Sequence, residues 1–87
     1  HSAFPNPFNP ATNIKYDLNS DNFISLTIHD LKGRKVKTLL NRFQTAGQHI
    51  EKWDSTNDKG ELVSAGLYFY TIRSKTHMQT KKFLLAK

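Results

Sequence analysis

The patterned part of the chain begins at residue 13. Ile14, Tyr16 and Leu18 alternate with Asn13, Lys15 and Asp17, the period-two signature of a strand buried on one face. Asn19-Ser20-Asp21-Asn22 supplies a turn, and Ile24, Leu26 and Ile28 then alternate with Ser25, Thr27 and His29. These two runs read as antiparallel neighbours joined by a short hairpin. Asp30-Leu31-Lys32-Gly33 turns the chain again, because Gly33 takes positive φ at no steric cost. Val36 to Leu40 predicts a third, less regular strand in which Leu39 and Leu40 point to opposite faces.

Beyond the break at Thr45-Ala46-Gly47, His49 to Trp53 predicts a fourth strand and Asp54 to Glu61 a polar loop. Leu62-Val63 has room only for a short strand before Gly66. Tyr68, Tyr70 and Ile72 alternate with Phe69, Thr71 and Arg73 in the clearest strand of all, and a last strand runs from Met78 to Leu85. About seven strands with regular turn signals and no helical periodicity predict an all-β fold, a two-sheet antiparallel immunoglobulin-like β-sandwich. A sandwich of this size needs one large aromatic at its centre, and Trp53 is the only tryptophan.

Ahead of the strands, Phe4-Pro5-Asn6-Pro7-Phe8-Asn9-Pro10 fixes an extended backbone that no helix can use. Residues 1–11 therefore read as a Pro-rich arm whose phenylalanines dock on the body, and residues 12–87 as the sandwich. At 87 residues one core is all the length supports, which excludes a two-domain enzyme. With no cysteine, disulfides, zinc ribbons and thiol nucleophiles are excluded too.

Charge adds a polarity along the chain. The net is +6, yet residues 1–31 carry one Lys against three Asp, while residues 32–60 and 61–87 each carry an excess of four cations. A positive field attracts nucleic acid, anionic lipid or anionic polysaccharide without choosing between them. Nucleic acid is disfavoured, because the pattern supplies neither a helix for a groove nor an aromatic stacking motif. No apolar run reaches the roughly 18–20 residues that span a bilayer, and the opening residues lack a secretory leader's pattern. If the parent protein is exported, its leader lies upstream.

Catalytic constellations are missing. His1, His29, His49 and His77 are scattered singly, without metal-ligand spacing. There is no nucleophile elbow and no paired carboxylate at a strand end, so an enzyme is not expected. The loop Asp54-Ser55-Thr56-Asn57-Asp58-Lys59-Gly60-Glu61 is rich in oxygen ligands, but it breaks the EF-hand spacing, and Asx turns use the same residues. Lys81-Lys82-Phe83-Leu84-Leu85-Ala86-Lys87 places three apolar residues between lysines. That run reads either as a buried strand with lysine gatekeepers or as a tail read by another protein through edge pairing and charge.

Several short motifs occur in order: Pro5-Asn6-Pro7-Phe8-Asn9-Pro10, Asp30-Leu31 with Gly33-Arg34 and Val36, Ala46-Gly47 with His49, and Trp53-Asp54. They continue with Asp58 and Gly60, Gly66 with Tyr68-Phe69-Tyr70, and Lys81-Lys82-Phe83-Leu84-Leu85 with Lys87. Taken together the chain resembles the type A C-terminal sorting domain of the type IX (Por) secretion system, related to the immunoglobulin-like domain of flagellar hook-capping proteins. The resemblance implies a non-enzymatic domain at the C-terminus of a larger secreted protein, with its cargo domain N-terminal in the same chain. It implies passage through the periplasm, recognition by outer-membrane type IX translocon components, and delivery to the cell surface or medium. In many members a sortase-like cysteine peptidase removes the domain and couples the cargo to anionic lipopolysaccharide. No cofactor is implied.

Carried onto this sequence, the family's recognition residues are Gly33, Arg34, Gly66, Tyr68, Lys82, Phe83, Leu84, Leu85 and Lys87. Two positions depart from the family's pattern. Glu51 stands where an apolar residue usually lies two before the tryptophan, which requires either a bulge between Ile50 and Trp53 or a core-facing glutamate. Ser55 replaces a glycine that often follows Trp-Asp. Two other functions fit the same composition: a structural module of the hook-capping type, or a carbohydrate-binding accessory module using Phe43 and Phe69.

Overall fold

A computed structural model describes residues 11–86; residues 1–10, which make up nearly all of the expected proline-rich arm, and Lys87 lie outside the described residues. Six strands form: β1 (Thr12–Leu18), β2 (Asn22–Asp30), β3 (Lys35–Gln44), β4 (Gly47–Trp53), β5 (Gly66–Arg73) and β6 (Met78–Leu85). They make two antiparallel sheets, one of β1 and β4, the other ordered β3-β2-β5-β6. No helix occurs among the described residues. The fold is thus the expected antiparallel sandwich with six strands instead of about seven. Leu62-Val63 contributes only an isolated bridge, Thr56 to Leu62, and the backbone just before it is tied up in Asx turns at Asp54 and Asn57.

The buried alternation is the one the sequence carries. Ile14 and Tyr16 from the small sheet face Ile24, Leu26, Ile28, Leu40, Tyr68 and Leu85 from the large one. Trp53 sits between them with no exposed surface. Its ring meets Tyr68 and Phe83 edge-on at centroid distances of 5.4 and 5.8 Å, the geometry favoured by the ring quadrupole. The indole Nε1–H donates to the Thr56 carbonyl at 2.8 Å, so the polar atom of this central ring is satisfied.

Strand pairing departs from expectation. β1 and β2 are not a hairpin: β1 pairs with β4 and β2 with β3 and β5. The Asn19–Asp21 turn instead carries the chain from one sheet to the other, and Asp21 Oδ1 accepts the Ala46 amide at 2.8 Å. That bond fastens this corner to the second crossing between sheets, at β3–β4. Leu39 and Leu40 do not face opposite ways either. Leu26 pairs with Leu40 and Thr27 with Thr38, leaving Leu39 as an extra residue, and Val36 is skipped likewise between Lys35 and Lys37. Each bulge bends β3 and re-aims a side chain, so Leu39 and Val36 both pack against the core.

The two departures from the family pattern resolve differently. The β1–β4 register runs unbroken from Thr12–Trp53 to Leu18–Gly47, with Glu51 opposite Ile14. There is no bulge. Glu51 therefore lies half-buried on the core side, and Ile50 is exposed. Ser55 does adopt the left-handed backbone, at φ 69°, a conformation costing a non-glycine residue about 1–2 kcal/mol. It is completely buried, and its carbonyl accepts the Val63 amide at 3.0 Å.

Candidate functional site

Residues scattered over more than fifty positions of sequence meet at one end of the four-stranded sheet. β2 ends with Asp30 paired to Tyr68, close to the start of β5. Gly66 and Tyr68 pair in turn with Leu85 and Phe83 at the end of β6. The β2–β3 turn carrying Gly33 and Arg34, the head of β5 and the tail of β6 thus share one edge of the molecule. Lys82 lies one step further in, opposite Phe69.

Asp30 organises the turn. Its Oδ1 accepts the amides of Lys32 at 2.9 Å and Arg34 at 3.0 Å, and its Oδ2 accepts Arg34 Nε at 3.0 Å. The backbone closes with Gly33 N–H to Asp30 O at 2.9 Å and Asp30 N–H to Arg34 O at 3.0 Å, with Gly33 at φ 83°. The Arg34 amide, foremost, with the guanidinium and the Lys32 amide, holds the Asp30 carboxyl below its ordinary value against an opposing desolvation. Only Nε of Arg34 is engaged in this ion pair, and its side chain is largely exposed. The guanidinium is therefore aimed outward by the turn and keeps donors for a ligand.

Tyr68 is buried and closes the neighbouring corner, donating its hydroxyl to the Ser64 carbonyl at 2.6 Å. Immunoglobulin-type sandwiches use a similar bond from a tyrosine to the backbone a few residues upstream. Burial, and secondarily the negative charge of Asp30, pushes the phenol up from its ordinary value. Gly66, at φ 147°, supplies the backbone that turns the loop into β5.

β6 divides the remaining candidates between two faces. Phe83 and Leu85 point to the core side, with Leu85 fully buried and Phe83 against Trp53 and Tyr70. Lys82 and Leu84 alternate outward, with Leu84 66% exposed. Leu84 lies opposite Leu67, itself 40% exposed, and Leu31, at 59%, lines the same shallow cleft as Leu67. These leucines form an apolar strip beside the Arg34 and Lys32 cations. Sequence reasoning passed over Leu31 and Leu67. Leu67 carries a signal all the same: it is out of phase with Tyr68, Tyr70 and Ile72, and so belongs on the outer face.

The other candidate chemistries take definite form. In the Asp54–Glu61 loop the oxygens bind protein donors: Asp54 Oδ1 accepts from Thr56, and Asn57 Oδ1 accepts the amides of Lys59 and Glu61. Asp58 Oδ1 reaches β3 and accepts the Thr38 amide at 3.0 Å. The Thr56 hydroxyl, first among the causes, keeps the Asp54 carboxyl below its ordinary value. These are Asx turns that clamp the loop to β3. Phe43 pairs with Phe23 and Phe69 with His29. Those positions are six residues apart on β2, about 20 Å, so Phe43 and Phe69 do not share a platform.

Fold and site together define a small immunoglobulin-like sandwich module with its distinctive turn, corner and tail gathered at one sheet end. Over residues 2–86 the chain matches the secretion system C-terminal sorting domain, and it belongs to that family. Its family is one of secretion-signal domains. No curated protein matches the chain. Among solved structures it is similar to FlgD from P. aeruginosa, at 18% identity and TM-score 0.72 over 88% of this chain and 62% of that one. It is also similar to FlgD from Xanthomonas campestris, at 26% identity and TM-score 0.68 over 87% and 56%. The Xanthomonas protein serves the hook capping that is essential for flagellar assembly. The present chain spans less than two thirds of either FlgD.

Proposed function

We propose that this chain is the non-enzymatic address of a larger protein, read by outer-membrane components of the type IX system and delivered through the periplasm to the surface or medium. The observation that carries the reading is the family match over residues 2–86. The convergence of Gly33, Arg34, Gly66, Tyr68 and the Lys82–Leu85 segment at one sheet end supports it. Gly33 and Gly66 shape the end, Tyr68 and Asp30 stiffen it, and Arg34, Lys82, Leu84 and Lys87 are the groups a translocon contacts. Phe83 and Leu85 act differently, anchoring β6 in the core so that the tail leaves from a fixed point. Removal of the domain by a cysteine peptidase, with coupling of the cargo to lipopolysaccharide, is a further step of the same reading.

A periplasm-targeted fluorescent reporter ending in residues 1–87 tests this in a type IX-competent bacterium. The paired control removes Ala86 and Lys87. This cut keeps the buried Leu85, whereas deletion from Lys82 onward would also take core residues and confuse unfolding with lost recognition. Surface or medium delivery of the intact fusion, with the truncated one retained, is the expected result. Retention of both folded fusions would favour the second reading, a structural module of the hook-capping type, which the FlgD-like fold also accommodates.

A further inference from the structure

The two edges of the four-stranded sheet are treated unequally. β3 carries two bulges and is covered by the Asp54–Glu61 loop. Asp58 N–H donates to the Val36 carbonyl, Asp58 Oδ1 accepts the Thr38 amide, and Lys37 Nζ donates to Thr56 and Asn57. Bulges and a covering loop are the usual protections of an edge strand. β6 has neither among the described residues. It pairs with β5 over eight consecutive residues without a register shift, and no described strand pairs with its other side. A long straight edge of this kind is a template for one more strand.

Side chains along this edge specify what can add. Lys82 lies opposite Phe69 on the outer face and Lys81 opposite Tyr70 on the inner face. Both lysines are exposed, and among the described residues neither has a carboxylate partner. Phe83 and Leu84 follow, again one on each face, with Leu84 continuing the strip begun by Leu67. A second copy of this chain fits poorly. Antiparallel pairing centred on β6 sets Lys81 against Lys82 of the other copy, a shift of one residue either way sets Lys81 or Lys82 against its own counterpart, and each copy brings a net +6.

We propose that the β6 edge receives an extended segment of a partner protein as a fifth strand. Two adjacent carboxylates of that segment stand opposite Lys81 and Lys82, and apolar side chains stand opposite Phe83 and Leu84. The inference deepens the sorting reading, on which it rests, by naming the chemistry of the partner at that same end. Backbone pairing supplies affinity, and the acid-acid-apolar-apolar order supplies register, since a one-residue slip sets a carboxylate against Phe83 in one direction and an apolar side chain against Lys82 in the other.

Peptide titration of the 87-residue chain, followed by amide hydrogen exchange, tests this. The probe is a synthetic peptide as long as β6, with two central glutamates followed or preceded by two valines; its counterpart carries lysines in place of the glutamates. The glutamate peptide should slow exchange at alternate backbone amides of Met78–Leu85 and leave the β3 amides unchanged. The lysine peptide should bind about ten-fold more weakly, the scale of two cross-strand charge pairs. A Lys81→Glu/Lys82→Glu variant, folded by its Trp53 fluorescence, should reverse the preference. The inference is overturned if the glutamate peptide fails to bind at millimolar concentration, or if both peptides bind alike. Protection on another strand, a β6-paired dimer, or binding to anionic phospholipid vesicles in place of the peptide overturns it as well. The titration involves no export, so peptide binding alongside a failed secretion assay would remove the sorting reading and leave the edge inference standing.

Discussion

Replacing Tyr68 with phenylalanine deletes one oxygen and tests whether the corner it closes holds the sheet end together. The ring contacts survive, because the edge-on packing on Trp53 and the 6.2 Å contact with Phe83 involve only the rings. What disappears is the 2.6 Å bond to the Ser64 carbonyl. A neutral hydrogen bond contributes about 1 kcal/mol net, and leaving its buried partner without a donor raises the loss toward about 2 kcal/mol. In a domain of this length that lowers Tm by about 5–15 °C. Urea denaturation followed by Trp53 fluorescence should show a lower midpoint with an unchanged slope.

The control is Tyr70→Phe, whose hydroxyl makes no hydrogen bond among the described residues; it should stay within about 0.5 kcal/mol of the parent. Alkaline pH gives an independent reading. The Tyr68 phenol is pushed up in the folded state, so its contribution is complete below the ordinary tyrosine value and is lost as pH rises through the folded value. Tyr68→Phe should remove that part of the alkaline decline. Equal midpoints for Tyr68→Phe and Tyr70→Phe, with identical alkaline profiles, would refute the reasoning.

Trp53→Ala should cost about 3–5 kcal/mol, most of the stability of a domain this small, and NMR should show collapse of amide dispersion. Asp30→Asn should flatten the acid limb of the stability curve. The Asp30 carboxyl is held low in the fold, so its contribution is present above the ordinary carboxylate value and lost as pH falls through the folded one. Circular dichroism melts from neutral pH down to about pH 2 measure this, and identical acid limbs for parent and variant would contradict it. Gly66→Ala meets no steric neighbour, yet its φ of 147° strains any L side chain by about 1–3 kcal/mol. A Tm equal to the parent's would show that the β5 entry relaxes.

Much of this molecule is local and therefore legible in the sequence. Alternation put Ile14, Tyr16, Ile24, Leu26, Ile28 and Tyr68 on buried faces. The single tryptophan had only one place to go. Asp and Asn at fixed offsets closed the turns around Gly33 and Gly60, and Ser55 could be marked as the residue standing where glycine is easier. What alternation cannot contain is the identity of the neighbouring strand, because period two fixes the face of a side chain and says nothing of which edge it meets. The pairing of β1 with β4, the bulges that turn both Leu39 and Leu40 inward, and the half-buried Glu51 are decided by how the two sheets close over Trp53. So is the gathering of Asp30, Arg34, Gly66, Tyr68 and Leu84 at one end. Such contacts join residues far apart in sequence, and only the packed sandwich, which repays the entropy of bringing them together, selects them.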